Sequence, residues 1–325
     1  MRTIAVFNNK GGVGKTTLVY HLAHMLPRLG YPTLAVDLDP QANLTSSFFD
    51  EDILEGLWES GQETILGCVD PILEGTGDIR PLRPKPAAER LWVVPGHLGL
   101  SRFEDKLSES WGNCQNDDAA ALRATSAFHR IILQAGTAVD ARVALIDVGP
   151  NLGAINRAVL LAADDLILPL AADLFSLQGL RNLGPTVRRW RIQWNRALEN
   201  TSTQVDLPQA RMAPFGYVVL QHAVRLDRPV RAYGKWLDRI PRVYREAVLA
   251  ERVEDALPVA AEDPHCLAML RNFRSLMPMA QEARKPMFDL RPADGAIGSH
   301  AQLARTCEED FHRLAQRILG PSVSP

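Results

Sequence analysis

A doubly wound α/β domain, with a mostly parallel sheet flanked by helices, is the fold the sequence predicts. Two observations lead there. Short apolar runs alternate with amphipathic stretches, and a glycine-rich loop joins the first run to the first such stretch. Apolar runs without polar alternation suit strands buried on both faces. Strand and helix in alternation imply crossover connections and a parallel sheet. A ligand is then expected at the carboxyl ends of the strands.

The strands are expected at Ile4–Phe7, Thr33–Val36, Leu91–Val94, Val143–Ile146, Leu166–Leu168 and Tyr217–Leu220. Helices are expected at Thr16–Leu29, Ala119–Ala135, Leu152–Ala163 and Leu174–Arg196. A last helix runs from about His300 to Leu319, where Gly320-Pro321 stops it. Residues 50–90 are rich in Gly, Pro and acids and read as a loop-rich insertion with short helices. Residues 251–266 read as a surface excursion. No repeat or linker divides the chain, so residues 1–325 read as one domain.

Composition narrows the function classes. With 46% hydrophobic and 23% charged residues the chain is neither collagen-like, coiled-coil nor disordered. Cys68, Cys114, Cys266 and Cys307 lie far apart without a C-x-x-C pair, which fits free thiols in a reducing compartment better than a disulfide or metal framework. No apolar stretch approaches the ~18 residues of a membrane span. The start, Met-Arg-Thr-Ile-Ala-Val-Phe, is too short for a signal peptide, so a cytoplasmic location is expected.

The chemistry is concentrated in Lys10-Gly11-Gly12-Val13-Gly14-Lys15-Thr16-Thr17. Glycines let consecutive backbone N–H groups turn inward onto phosphate oxygens, and the helix that follows adds its positive end. In such a loop Lys15 reaches the β- and γ-phosphates, Thr16 ligates Mg²⁺ and Thr17 bonds the α-phosphate. The usual phosphate loop would put Gly at position 9, which is Asn9 here, and a lysine stands at position 10 instead.

That box resembles the deviant Walker A loop of the ParA/MinD family of ATPases. The resemblance implies a P-loop NTPase fold in which Lys10 crosses a dimer interface to nucleotide held by the other subunit. ATP binding and homodimerisation are then one linked equilibrium. Asp37-Leu38-Asp39-Pro40-Gln41-Ala42-Asn43 is similar to the family's D-x-D-P-Q-[GA]-N motif. It implies that Asp39 orients the attacking water and that Asp37 lies near the water shell of the metal. Ala144-Leu145-Ile146-Asp147 resembles Walker B, with Asp147 holding Mg²⁺ through water. The family usually continues Asp-x-Pro-Pro; here Gly149 stands in the first proline's place. The Leu91–Ser101, Leu168–Leu180 and Ala283–Leu290 stretches extend the resemblance over nearly the whole chain.

Between Arg181 and Arg245 stand 13 Lys and Arg against four acids, a difference of +9 in a chain whose total is −2. A basic segment in an otherwise acidic protein suits a phosphate backbone. Arg188, Arg189, Arg191, Arg225, Arg228 and Arg231 are the candidate DNA contacts. The interleaved Trp190, Trp194, Tyr233, Trp236 and Tyr244 are expected to pack under arginine stems rather than stack on bases. The chain given starts at its first strand, so no operator-reading arm is expected ahead of it.

The resemblance therefore implies a slow, Mg²⁺-dependent ATPase that dimerises around ATP and binds DNA nonspecifically. It would position plasmid, chromosome or other cargo with a ParB-like adaptor, becoming nucleoid-associated when ATP-bound. The alternative within the same resemblance is a switch acting on a membrane, as MinD does, or on a protein complex. The polar Gly-Pro-Ser tail argues against a stable membrane anchor. His21 and His24, three apart, have no evident third metal ligand, and Asp164-Asp165 reads as a turn.

Overall fold

The computed structural model describes residues 1–222, 224–225, 228–229, 231–273 and 275–320, and within 221–233 no side chain is described. The strands are β1 (Arg2–Val6), β2 (Thr33–Asp37), β3 (Lys85–Ala88), β4 (Leu91–Val94), β5 (Val143–Asp147), β6 (Asp165–Leu170), β7 (Ala213–His222), β8 (Val224–Arg225), β9 (Arg228–Pro229) and β10 (Cys266–Arg271). The helices are α1 (Lys15–Arg28), α2 (Asn43–Phe48), α3 (Glu51–Ser60), α4 (Ile65–Leu73), α5 (Phe103–Asn113), α6 (Ala119–Thr125) and α7 (Ala127–Ala138). They continue with α8 (Ala154–Ala162), α9 (Leu174–Asn200), α10 (Arg231–Leu237), α11 (Ile240–Val243), α12 (Met277–Ala283) and α13 (Ser299–Leu319).

Eight strands form one sheet in the order β10-β7-β6-β1-β5-β2-β4-β3, and β8 and β9 form a separate ribbon. Every pairing in the large sheet is parallel except that of edge strand β3 with β4. Strand period sorts the core into two faces. Ile4 and Val6 pack with α1, α12 and α13 on one side, while Ala5 and Phe7 pack with α4–α9 on the other. The sheet is thus wound on both faces, as the apolar runs predict.

Parallel register also builds the site. Val6 lies opposite Asp147 in β1–β5, and Asp147 lies opposite Asp37 in β5–β2. Three carboxyl ends therefore finish level, with β6 on the far side of β1. The chain turns from β1 one way and from β5 the other, which leaves a crevice at this switch point.

Several expected boundaries shift for identifiable reasons. The stretch 119–135 is two helices, α6 and α7, broken at Ser126, whose hydroxyl turns back to the Arg123 carbonyl. Strand β3 lies inside the loop-rich 50–90 segment, where its alternating exposure marks an edge. Helix α5 was not foreseen, because its buried face is only Phe103, Leu107 and Ser110. Strand β10 starts at Cys266, where the surface excursion was expected to end. No described helix is long and apolar enough to cross a membrane.

The excursion is pinned rather than loose at its end. The Asp263 side chain is fully buried and accepts from both Arg245 guanidinium nitrogens (2.7 and 3.1 Å) and from the Tyr217 hydroxyl (2.7 Å). Burial pushes its carboxyl up, but Arg245, Tyr217 and the His265 amide outweigh burial and hold it below the ordinary carboxylate value. Asp263→Ala strands the guanidinium and the phenol, and should cost about 3 kcal/mol in urea unfolding. Because the folded value is held down, the contribution is present above about pH 4 and fades as the pH falls further. A midpoint unchanged by the substitution would refute the anchor.

Candidate nucleotide site

The loop between β1 and α1 folds as its glycines require. Gly12 (φ 70°) and Gly14 (φ 89°) both occupy the left-handed region, and Gly14 is the residue before the first turn of α1. A Cβ on Gly14 would stand 3.2 Å from the Leu220 side chain. Val13 is buried and ties the loop to the core, while Gly11 and Gly12 are exposed. Asn8 starts the turn: its Oδ1 accepts from the Lys10 amide (2.9 Å) and its Nδ2 donates to the Pro169 carbonyl. With α1 starting at Lys15, the N–H groups of its first turn have no partner inside the helix and face the crevice.

The side chains predicted from sequence converge here. Lys15 is buried, and its Nζ lies 3.4 Å from the Lys10 carbonyl. Burial lowers its pKa, opposed by the charges of Asp147 and Asp39. The Thr16 hydroxyl donates to Asp147 Oδ2 (2.7 Å). Asp147 Oδ1 is buried with no hydrogen-bond partner. Burial, then the neighbouring Asp37 charge, pushes the Asp147 carboxyl well above the usual range. A free carboxylate oxygen beside a threonine hydroxyl is the all-oxygen donor set that Mg²⁺ takes, so these residues fit that ion.

Asp39 is buried, and its Oδ1 accepts from the Gln41 amide (3.0 Å) in a tight Asx turn. Asp37 is engaged on both oxygens. Its Oδ1 accepts from the Asp39 amide (3.3 Å) and its Oδ2 from the amide (2.8 Å) and hydroxyl (2.7 Å) of Thr45. The Thr45 oxygen in turn accepts from the Gly96 amide (2.7 Å). The geometry thus ties Asp37 to the loops after β2 and β4.

Lys10 sits at the rim, about a third exposed, ion-paired with Asp173 of its own chain and 5.6 Å from the Phe175 ring centroid. Sequence reasoning missed Asp173. Its signature was a helix cap, since its Oδ1 accepts from the Ser176 amide (2.8 Å) at the start of α9. Phe175 is 70% exposed beside it. Also unforeseen is an apolar cleft of about 130 Å³ that opens beside Gly14 and Thr17. Leu220 and Phe273, near the ends of β7 and β10, and Met277, at the start of α12, line it.

His21 belongs to the core. Its Nδ1 lies 2.7 Å from the Thr17 carbonyl, and its Nε2 accepts from the Met287 amide (3.0 Å). Burial lowers its pKa to about 4, so the ring stays neutral and joins α1 to the segment after α12.

The basic segment is less uniform than its charge count. The Arg188 guanidinium donates to the Ala247 (2.7 Å) and Val248 (3.0 Å) carbonyls, capping a π-helical turn at Tyr244–Leu249. Arg191 faces the Arg211 carbonyl (3.4 Å). Arg189 is exposed, as are Arg181 and Arg196, which sequence reasoning did not select. At positions 181, 189 and 196 these three share one face of α9. The side chains of Arg225, Arg228, Arg231 and Tyr233 lie outside the described residues. Trp190, Trp194 and Tyr244 are buried, and Trp194 donates to the Pro208 carbonyl (2.7 Å), so these rings pack inward.

Comparison with known proteins gives the site a context. The AAA domain family matches residues 1–200. The chromosome-partitioning ATPase Soj of Treponema pallidum is 28% identical over 275 residues, covering 85% of this chain and 95% of that protein. The putative replication protein A of Rhizobium rhizogenes is 29% identical over 226 residues, 66% of this chain, and the match spans 54% of its length. The ATP complex of a single-residue variant of Cyanothece McdA superposes with a TM-score of 0.65 at 16% identity, covering 100% of this chain and 99% of that one. At that identity the likeness is one of fold.

Arg188 and Arg189 should separate in a stability measurement. Arg188→Ala removes donors from two carbonyls and should destabilise by about 1–2 kcal/mol. Arg189→Ala should stay within about 0.5 kcal/mol of the parent. Equal midpoints in a thermal melt would remove the capping role.

Proposed function

The chain belongs to this AAA domain family of ParA-type partition ATPases, and we propose that it closes as a homodimer around ATP, binds DNA without sequence preference and releases it on hydrolysis. One observation carries the reading: Lys15, Thr16, Asp39 and Asp147 meet at the level ends of β1, β2 and β5, with Lys10 at the rim.

Within it, the amides of Gly11, Gly12, Val13 and Gly14 cradle the phosphates, and Thr17 bonds the α-phosphate. Lys15 neutralises the β- and γ-phosphates. Thr16 and, through water, Asp147 would hold Mg²⁺, which would supply positive charge beside the phosphates. Asp37, near that water shell, holds the two loops beside it. Asp39 orients the attacking water toward the γ-phosphate. The base lies in the apolar cleft beside Thr17, a surface of suitable chemistry for a flat ring. Lys10 leaves Asp173 to reach nucleotide in the second subunit, which makes ATP and subunit pairing one equilibrium.

The exposed Arg181, Arg189 and Arg196 support DNA contact, together with Arg191, Arg225, Arg228 and Arg231. Arg188 contributes by holding the surface in shape. Two such surfaces in one dimer bind far more tightly than one. Turnover is slow until a ParB-like or other adaptor completes the site, and the cargo is a plasmid, a chromosome segment or another DNA-tethered body. The protein is cytoplasmic, and nucleoid-associated while it holds ATP.

Three variants divide the roles. Lys15→Ala should abolish ATP binding. Lys10→Ala should keep ATP binding but lose the ATP-dependent dimer on a sizing column. Asp39→Ala should hold ATP as a dimer without turnover. A Lys10→Ala protein that still dimerises normally with ATP removes the crossing lysine.

A DNA-shift assay with a nonhydrolysable ATP analogue tests the track. Arg189→Glu combined with Arg196→Glu should weaken binding and flatten its salt dependence. Unchanged binding favours a membrane or protein complex as the surface on which the switch acts.

A further inference from the structure

The segment between Asp147 and α8, residues 148–153, forms a wall beside Asp39 at Gly149. A Cβ on Gly149 would lie 3.4 Å from Asp39 Oδ1 and 3.7 Å from its Cγ, so this backbone backs directly onto the carboxylate. Gly149 brings wide conformational freedom to that wall. Pro150 fixes its own φ and narrows the choices of the residue before it, but a glycine there, without a Cβ, keeps more freedom than any other residue.

Asn156 removes the freedom. It is 1% exposed in the first turn of α8. Its Nδ2 donates back to the Gly149 carbonyl (2.9 Å), the Asn151 carbonyl (2.7 Å) and Asn151 Oδ1 (3.0 Å). One amide group with two hydrogens thus serves three acceptors on the loop. The helix that carries it is capped in turn. Glu104 of α5 accepts from the Ala154 (2.5 Å) and Ile155 (2.8 Å) amides at the start of α8. A Cβ on Gly153 would come within 2.5 Å of Glu104 Oε1, so a side chain at 153 would have to displace this capping carboxylate.

We infer that Asn156 is a positioning residue for ATP hydrolysis, holding the Gly149 and Asn151 carbonyls so that the loop after Asp147 stays against the Asp39 carboxylate. The inference rests on the role proposed above for Asp39. Asn156 acts on the loop and has no part in binding the nucleotide. Its loss slows turnover and leaves ATP affinity intact, because a small misplacement of a reacting group costs rate rather than binding.

The same constraint can be supplied another way. Gly149 does not have a positive φ, and the space for a Cβ there is ordinary contact distance. Proline at 149 restricts φ and replaces what the amide provides.

The test measures steady-state ATPase in the full chain, with binding of a fluorescent ATP analogue and a thermal melt for each variant. Asn156→Ala should lower kcat by about tenfold or more with KM within about twofold. Adding Gly149→Pro should restore most of the lost turnover. Asn156→Asp keeps the volume but turns an acceptor toward three acceptors, and should lower kcat as well; it serves if the alanine variant does not fold. Native-state hydrogen exchange should show faster exchange of the loop amides in Asn156→Ala and recovery in the double variant. Undiminished kcat in folded Asn156 variants, or a loss that Gly149→Pro does not relieve, overturns the proposal while Asp39 keeps its role. Full turnover in Asp39→Ala overturns the role of Asp39 and this inference together.

Discussion

Parallel strand register is the constraint on which the site depends. It sets Asp147 beside Asp37 at strand ends that are both fully buried, and Asp39 follows two residues later. Like charges so close and so dry raise one another's proton affinity. The structure divides them by partner. Asp37 is satisfied by Thr45 and the Asp39 amide, Asp39 by the Gln41 amide, and Asp147 keeps one oxygen without a partner beside Lys15 and Thr16. A cation in the crevice would relieve this crowding of carboxyl groups, and the loop amides favour an anion. A metal-bound polyphosphate satisfies both demands.

Much of this was legible in the chain. Apolar runs without alternation located six central strands, and Gly-Lys-Thr after the first of them marked the loop. The motif at Asp37–Asn43 and the Asp ending β5 followed the same logic of a carboxylate at a strand end. What stayed hidden depended on neighbours. Strand β10 begins within a stretch whose prolines and acids read as surface, and only its pairing with β7 makes it a strand. Helix α5 buries a narrow stripe that hydropathy alone does not reveal. The roles of Glu104 and Asn156 come from contacts rather than motif, since a Glu or an Asn in a helix has no signature of what it will cap.

Charge shows the same division. A count of basic residues locates a segment but cannot rank its members. Arg188 and Arg189 are adjacent in sequence, yet one caps carbonyls and the other faces water. Helical geometry decides this, because neighbours in sequence point about 100° apart. Tryptophan follows the same rule. Trp190 and Trp194, four apart, both turn inward, and Trp194 stacks on Trp111 at 6.1 Å between ring centroids. Arg157 of α8 lies over Trp111, 4.3 Å from its centroid, and so joins the helix after the Asp147 loop to the α5 side of the core.

Gly184 has a mechanical result. A Cβ there would stand 1.9 Å from the Ala247 carbonyl oxygen, so α9 and the π-helical turn meet main chain to main chain. Arg188 rivets the same seam one helical turn on. Sliding of α9 along its axis is blocked the way a key blocks a shaft. The long helix and the 244–249 turn are thereby locked together, and whatever surface they carry is presented as one piece.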